Sequence, residues 1–181
     1  MRVKIAAALA LLACGLVGTA QDAATTKKYV SKDGGYTVQF PEGAKVTTKT
    51  QDAPGGLKMV MAIAEQDKKS HVVMYMALPP GTLKAVPADV ILDGAAKGAL
   101  AKSGGKEVSQ KDFTFGKEKH PGRELVVEKD GMIVRTHVIV ADPKVFVLVV
   151  GGPGEYGDSK AAKAFLKSFE ITPAAKKVVE D

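Results

Sequence analysis

Residues 123–150 read RELVVEKDGMIVRTHVIVADPKVFVLVV, and how this stretch pairs with itself decides the fold. Asp130-Gly131 sits between two alternating runs, a strong signal for a two-residue hairpin loop because both loop residues must take positive φ. Such a loop sets Lys129 opposite Met132. It puts Leu125, Val127, Val134, Thr136 and Val138 on one face, and Glu124, Val126, Glu128, Ile133, Arg135 and His137 on the other. A second turn at Asp142-Pro143 leads into residues 145–150, apolar without a break, as expected of a central strand covered on both sides. Pro143 fits either of two turn positions, which leaves the register of this last pairing open.

That strand runs into Gly152-Pro153-Gly154-Glu155-Tyr156-Gly157, which matches the G-x-G-x-x-G dinucleotide pattern. The match works as a nucleotide site only where a parallel strand feeds a helix and a later strand supplies an acid for the ribose. Tight turns make antiparallel neighbours, and a parallel pair needs a crossover of about a dozen residues or more. Too little chain follows Gly157 for another crossover unit. Residues 151–157 are therefore expected to be a flexible strand-to-helix connection, capped by Asp158 or Ser159.

Working outward, residues 36–40 alternate and end at Pro41, with Tyr36, Val38 and Phe40 facing inward; residues 46–50 continue as a second strand. Residues 57–64 and 71–78 form a hairpin turning at Asp67-Lys68, which sets Met59 opposite Met76 and Met61 opposite Met74. Leu57, Met59, Met61 and Ile63 are expected to be its inward row. Residues 106–115 make another strand. Residues 87–102 carry helical periodicity with Val90, Ile91, Gly94, Ala95, Gly98 and Ala99 on one stripe, and Gly94 and Gly98 are expected to let the helix approach the sheet closely. A closing helix at 159–168 presents Ala161, Ala162, Phe165, Leu166 and Phe169. The fold class is α+β: a single domain with an antiparallel sheet of about 6–8 strands flanked by two main helices. Successive strands from Leu57 onward are expected to be neighbours.

The N-terminus reads as an export signal over 1–20: Arg2 and Lys4, an apolar run at 5–17, then Gly18-Thr19-Ala20. The run is shorter than the ~20 residues of a membrane-spanning helix, so no membrane span is expected. Cys14, after Leu11-Leu12-Ala13, offers an alternative in which the signal ends before Cys14 and that thiol is lipidated, anchoring a membrane lipoprotein. Residues 21–28 read as a flexible linker, 29–172 as the folded domain and 173–181 as a polar tail. The expected location is periplasmic or extracellular. Cys14 is the sole cysteine, so disulfides and cysteine-ligated metals drop out of the folded part. The formal charge of +6 is mostly lysine interspersed with acids, and there is no Trp; nucleic-acid binding, which calls for clustered arginine and stacking aromatics, is not expected.

Chemistry-bearing groups are sparse. The histidines are His71, His120 and His137, and no metalloprotease, hydrolase or paired-carboxylate motif appears. No catalytic residue, no cofactor and no enzymatic activity is expected. Glu124 faces His137 across the Asp130-Gly131 hairpin, with Arg135 diagonal; with His120 nearby these are candidates for a metal or anion site, outweighed by an ordinary cross-strand polar pair on a partly exposed face. Met59, Met61, Met74 and Met76 invite a copper(I) reading, since thioethers are soft ligands, outweighed by methionine as a core filler.

The stretches YVSKDGGYTVQFPEG (29–43), KHPGRELVVEKDG (119–131), VRTHVIVADPKVFVLVV (134–150) and AAKAFLKSFEI (161–171) resemble the PsbP-like α/β/α domain. That fold is shared by the extrinsic photosystem II protein, a Ran-binding import factor and exported bacterial domains of unknown role. The resemblance implies an antiparallel sheet between helices and a non-enzymatic binding or assembly role. The expected function is a monomeric binding or structural module of the bacterial cell envelope, holding an unidentified protein or small ligand. The alternative is an envelope metal-handling protein based on the methionines or on Glu124 and His137.

Overall fold

Period-two alternation broken by turn residues produces ten strands in a computed structural model that describes residues 26–172. In chain order they are β1 (Thr26–Ser31), β2 (Tyr36–Pro41), β3 (Lys45–Ala53), β4 (Leu57–Gln66), β5 (Lys69–Ala77), β6 (Lys106–Phe115), β7 (His120–Lys129), β8 (Met132–Ala141), β9 (Lys144–Pro153) and β10 (Glu170–Ile171). The helices are α1 (Thr82–Ala85), α2 (Ala88–Ser103) and α3 (Lys160–Lys167). The expected signal, Cys14 and the tail from 173 lie outside the described residues. The expected linker does not reach Lys28: β1 begins at Thr26 and pairs with β2 along its whole length.

Seven strands form one sheet in the order β3-β4-β5-β9-β8-β7-β6, and β1, β2 and β10 form a second, smaller one. Every ladder between named strands is antiparallel. Both local hairpin registers follow the sequence reading: Met59 pairs with Met76 and Met61 with Met74, and Lys129 pairs with Met132. Ala141 pairs with Lys144, which settles the loop as Asp142-Pro143. β9 lies at the centre, between β5 and β8, as its unbroken apolar run requires.

Chain order fails as a guide at one step. After α2 the chain does not lay β6 beside β5; it starts at the far edge and winds back through β7 and β8 to bring β9 against β5. Polar β6, carrying Lys106, Glu107, Lys111 and Asp112, tolerates an edge, where unpaired backbone groups meet water. Apolar β9 does not.

Two layers cover the main sheet. On one face the small sheet and α3 bury Tyr36, Val38, Phe40, Phe165 and Phe169 against Ala62, Val73, Phe146, Leu148 and Val150. Apolar burial stabilises by ~25 cal/mol per Å², and this is the larger of the two buried clusters. On the other face Leu92 of α2 packs on Val138, Val140 and Val145. α2 lies over β7 and β8, and this changes the expected faces. Gly94 and Gly98 point away from the sheet: a Cβ built on either meets nothing within 4 Å, and both are exposed. They do not mediate close approach.

The methionine row is corrected too. In β4 the fully buried residues are Ala62 and Ala64, whereas Leu57, Met59, Met61 and Ile63 are half-buried on the α2 side of the sheet. Across the rungs, Met74 and Met76 are half-buried as well. Both rows of β4 are apolar, so alternation could not say which faces the core.

Candidate functional site

The Asp130-Gly131 turn, with φ of 51° and 72°, sets the rung Glu124↔His137, and the side chains meet: His137 Nε2 is 2.8 Å from Glu124 Oε2. Arg135 places a guanidinium nitrogen 2.7 Å from the same oxygen, and Lys111 of β6 places Nζ 3.1 Å from Oε1. Arg135 also donates to Asp158 and to the carbonyl of Gly157, the latter at 3.2 Å. The expected partly exposed pair is instead a buried network: Glu124 is 7% and Arg135 9% exposed. The turn ahead of α3 lies across this end of β8, while Lys111 and Asp158 reach the pair from the exposed side.

Burial raises the affinity of Glu124 for a proton, but hydrogen bonds from Arg135, His137 and Lys111 outweigh it and hold the carboxyl at about 2. Burial lowers His137, against the opposing pull of Glu124, so a neutral imidazole donates from Nε2. Glu124 is therefore a fixed anion near neutral pH, ill suited to act as acid or base. His137 also meets the Phe113 ring at 4.9 Å between centroids, tilted by 47°, and Phe113 lies across from Gly122, where a Cβ would stand 2.7 Å from its ring. Lys111, Asp158 and Phe113 were missed in the sequence. The β6–β7 register that brings Lys111 to Glu124 follows from its turn; the approach of Asp158 is purely tertiary.

His120 does not join Glu124 and His137. Its Nε2 pairs with Glu118 at 3.1 Å, and among the described residues no three His, Cys, Asp or Glu side chains are grouped to hold a metal ion. The third histidine, His71, is 2% exposed in the aromatic core. Its Nε2 lies 3.0 Å from the Tyr156 hydroxyl, and its ring stands edge-on to Phe165 at 5.0 Å. Burial and the nearby Lys69 charge push it down to about 4, with partial relief from the backbone of Ala64.

The glycine-rich segment is no flexible connection. Gly151, Gly152 and Pro153 extend β9, and Tyr156–Asp158 form a 3-10 turn. Gly157 is buried against Ile133, whose carbonyl oxygen a Cβ there would strike. Ser159 caps α3, accepting from Ala162 N at 3.1 Å, while Asp158 is taken by Arg135. Gly151, Gly152 and Gly157 are held by close packing, whereas Gly154 takes a φ of 58° in open space.

A cleft of about 780 Å³ opens at one end of the main sheet, among the turns at 34–35, 116–120 and 142–144 and the chain at 170–172. Phe115, Ala141, Phe146 and Phe169 contribute its apolar lining; Lys117, Glu118, Asp142, Lys144 and Glu170 contribute its charged groups, and His120 an imidazole. Lys144 Nζ donates to the carbonyls of Asp33 and Gly34 at 2.7 and 2.9 Å, and Thr172 N donates to Gly35 O at 2.9 Å, which ties one wall to the rest. Burial lowers the Lys144 ammonium, partly offset by Asp33. Size and composition suit a small amphipathic ligand.

No protein-family model and no curated protein matches the chain by sequence. Among solved structures, it is similar to cyanobacterial PsbP (CyanoP) of Synechocystis sp. PCC 6803, at 14% identity and TM-score 0.55, covering 87% of this chain and 96% of that one. A second, PA94 of Pseudomonas aeruginosa, a protein of unknown function, gives 12% identity and TM-score 0.34 over 71% and 83% of the two chains, too loose to bear on the fold. No helix among the described residues is long and apolar enough to cross a membrane. With one seven-stranded antiparallel sheet, a small second sheet and two main helices in that arrangement, the chain has a PsbP-like fold.

Proposed function

We propose that the chain is an exported, non-enzymatic binding module of the bacterial cell envelope that takes its ligand in the cleft between Gly34-Gly35, His120 and Lys144. The observation that carries this reading is the cleft itself: an apolar lining with a few charged groups, walled by turns that internal hydrogen bonds hold in place. Pre-formed, mostly apolar concavities of this size are what small-ligand and side-chain recognition uses. The charged cluster at Glu124 supports a binding role over catalysis, since Arg135, His137 and Lys111 hold its carboxylate ionised.

The export reading rests on the charged, apolar and small-residue order of residues 1–20. Two measurements test the whole. Mass spectrometry of the envelope fraction is expected to find a mature chain beginning at Gln21, or at a lipidated Cys14; a cytoplasmic chain retaining residue 1 would refute export. Photo-crosslinking residues placed at Lys117 and Pro143 are expected to capture envelope components that one at Val90, exposed on α2, does not. Equal capture at Val90, or none at the cleft, would refute the site.

A further inference from the structure

We propose that Met59, Met61, Met74 and Met76 form a copper(I) site on the face of the main sheet beside α2. The proposal does not depend on the cleft. Leaving aside Met1, the chain contains five methionines, and four occupy two facing pairs, Met59 across from Met76 and Met61 across from Met74. Residues directly opposite stand about 5 Å apart, and successive same-face residues about 7 Å apart along a strand. Four thioethers thus rise from the corners of a small rectangle. The side chain has three rotatable bonds and a polarisable sulfur, so three or four sulfurs can converge above its centre.

Placement separates this patch from core filling. The buried row of β4 is Ala62 and Ala64 on the opposite face, while all four methionines are half-buried. The main contacts of α2 are with β7 and β8. An aliphatic side chain would serve a half-covered sheet face equally well; what methionine adds is a soft donor. Thioethers select copper(I) over hard divalent ions, and the neutral ligands suit a monovalent cation on a partly desolvated surface. The nearest cation in register is Lys49 of β3, across from Met61. It opposes a bound cation.

The test uses the full chain carrying Cys14→Ser, so that the thiol does not compete, with copper(I) held by bicinchoninate under anaerobic ascorbate. One equivalent of copper(I) is expected to move to the protein, and X-ray absorption of that complex is expected to show sulfur neighbours. The double variant Met61→Leu/Met74→Leu keeps near-equal volume and its melting temperature, yet is expected to bind at least about ten-fold more weakly, since loss of even a supporting partner costs a metal site roughly 10–100-fold. Met59→Leu/Met76→Leu serves if the first pair does not fold. Lys49→Gln is expected to tighten binding. No transfer from bicinchoninate, a nitrogen or oxygen shell in the absorption spectrum, or undiminished affinity in a folded leucine variant would each overturn the proposal.

Discussion

Glu124 and His137 face each other on one rung of the β7–β8 hairpin, 2.8 Å apart, with Arg135 reaching the same carboxylate oxygen at 2.7 Å. One buried acid thus serves two side chains of β8 and Lys111 of β6. Removing one partner of a buried charge pair leaves the other desolvated and uncompensated. Glu124→Gln is expected to lower unfolding stability by about 2–4 kcal/mol, with Arg135 kept from the full cost by Asp158 and the Gly157 carbonyl. Urea unfolding at pH 7 measures it; a loss under about 0.5 kcal/mol, the scale of an ordinary surface substitution, would contradict the network.

The same carboxylate, held at about 2, has its folded value below its unfolded one. Its contribution is therefore complete above about pH 4.5 and disappears as pH falls toward 2. His71 acts in a higher window. Its folded value of about 4 lies below the unfolded 6.5, so below pH 6.5 the unfolded chain takes up a proton the folded one refuses. Stability is expected to fall between pH 6.5 and 4, by roughly 3 kcal/mol from His71, and His137, also lowered by burial, adds in the same direction. His71→Phe is expected to flatten most of this slope in urea midpoints taken at pH 7, 5.5 and 4.5. An unchanged slope would show that His71 is not the titrating group.

Gly94 and Gly98 lie mid-helix in α2 with open space where a Cβ would go. Gly94→Ala and Gly98→Ala are each expected to stabilise by about 1 kcal/mol through helix propensity. Gly157→Ala is the opposite case, because its Cβ would collide with the Ile133 carbonyl; it should destabilise and disturb the Arg135 contact to Gly157. Thermal melts of the three variants decide, and a shared sign for all three would refute the assignment of faces.

Asp67 and Lys68 hold φ of 52° and 62° in the β4–β5 turn, a left-handed conformation costing a residue with a Cβ about 1–2 kcal/mol. Lys68→Gly is expected to raise stability by roughly 1 kcal/mol, since Asp-Gly suits such a turn. No gain in the unfolding midpoint would mean that the lysine side chain compensates.

Much of the candidate site was legible along the chain. The Asp130-Gly131 turn dictates the Glu124↔His137 rung, and the Asp67-Lys68 turn dictates the two methionine pairs, because a two-residue loop leaves one register. The cleft was not legible: Phe115, Lys144 and Gly34 are far apart in sequence and meet only where three turns converge. The approach of Asp158 to Arg135 belongs to the same class.

Local chemistry alone determined the alternation, the tight turns, the antiparallel neighbours within each hairpin and the central place of β9. Those depend on backbone geometry and on residues a few positions apart. Which face of each element meets the core was decided by tertiary packing. β4 is apolar on both faces and α2 is rich in small residues on every side, so periodicity was degenerate there, and only the layers that settled on the sheet could make Ala62 core, leave Met61 half-covered and turn Gly94 to water.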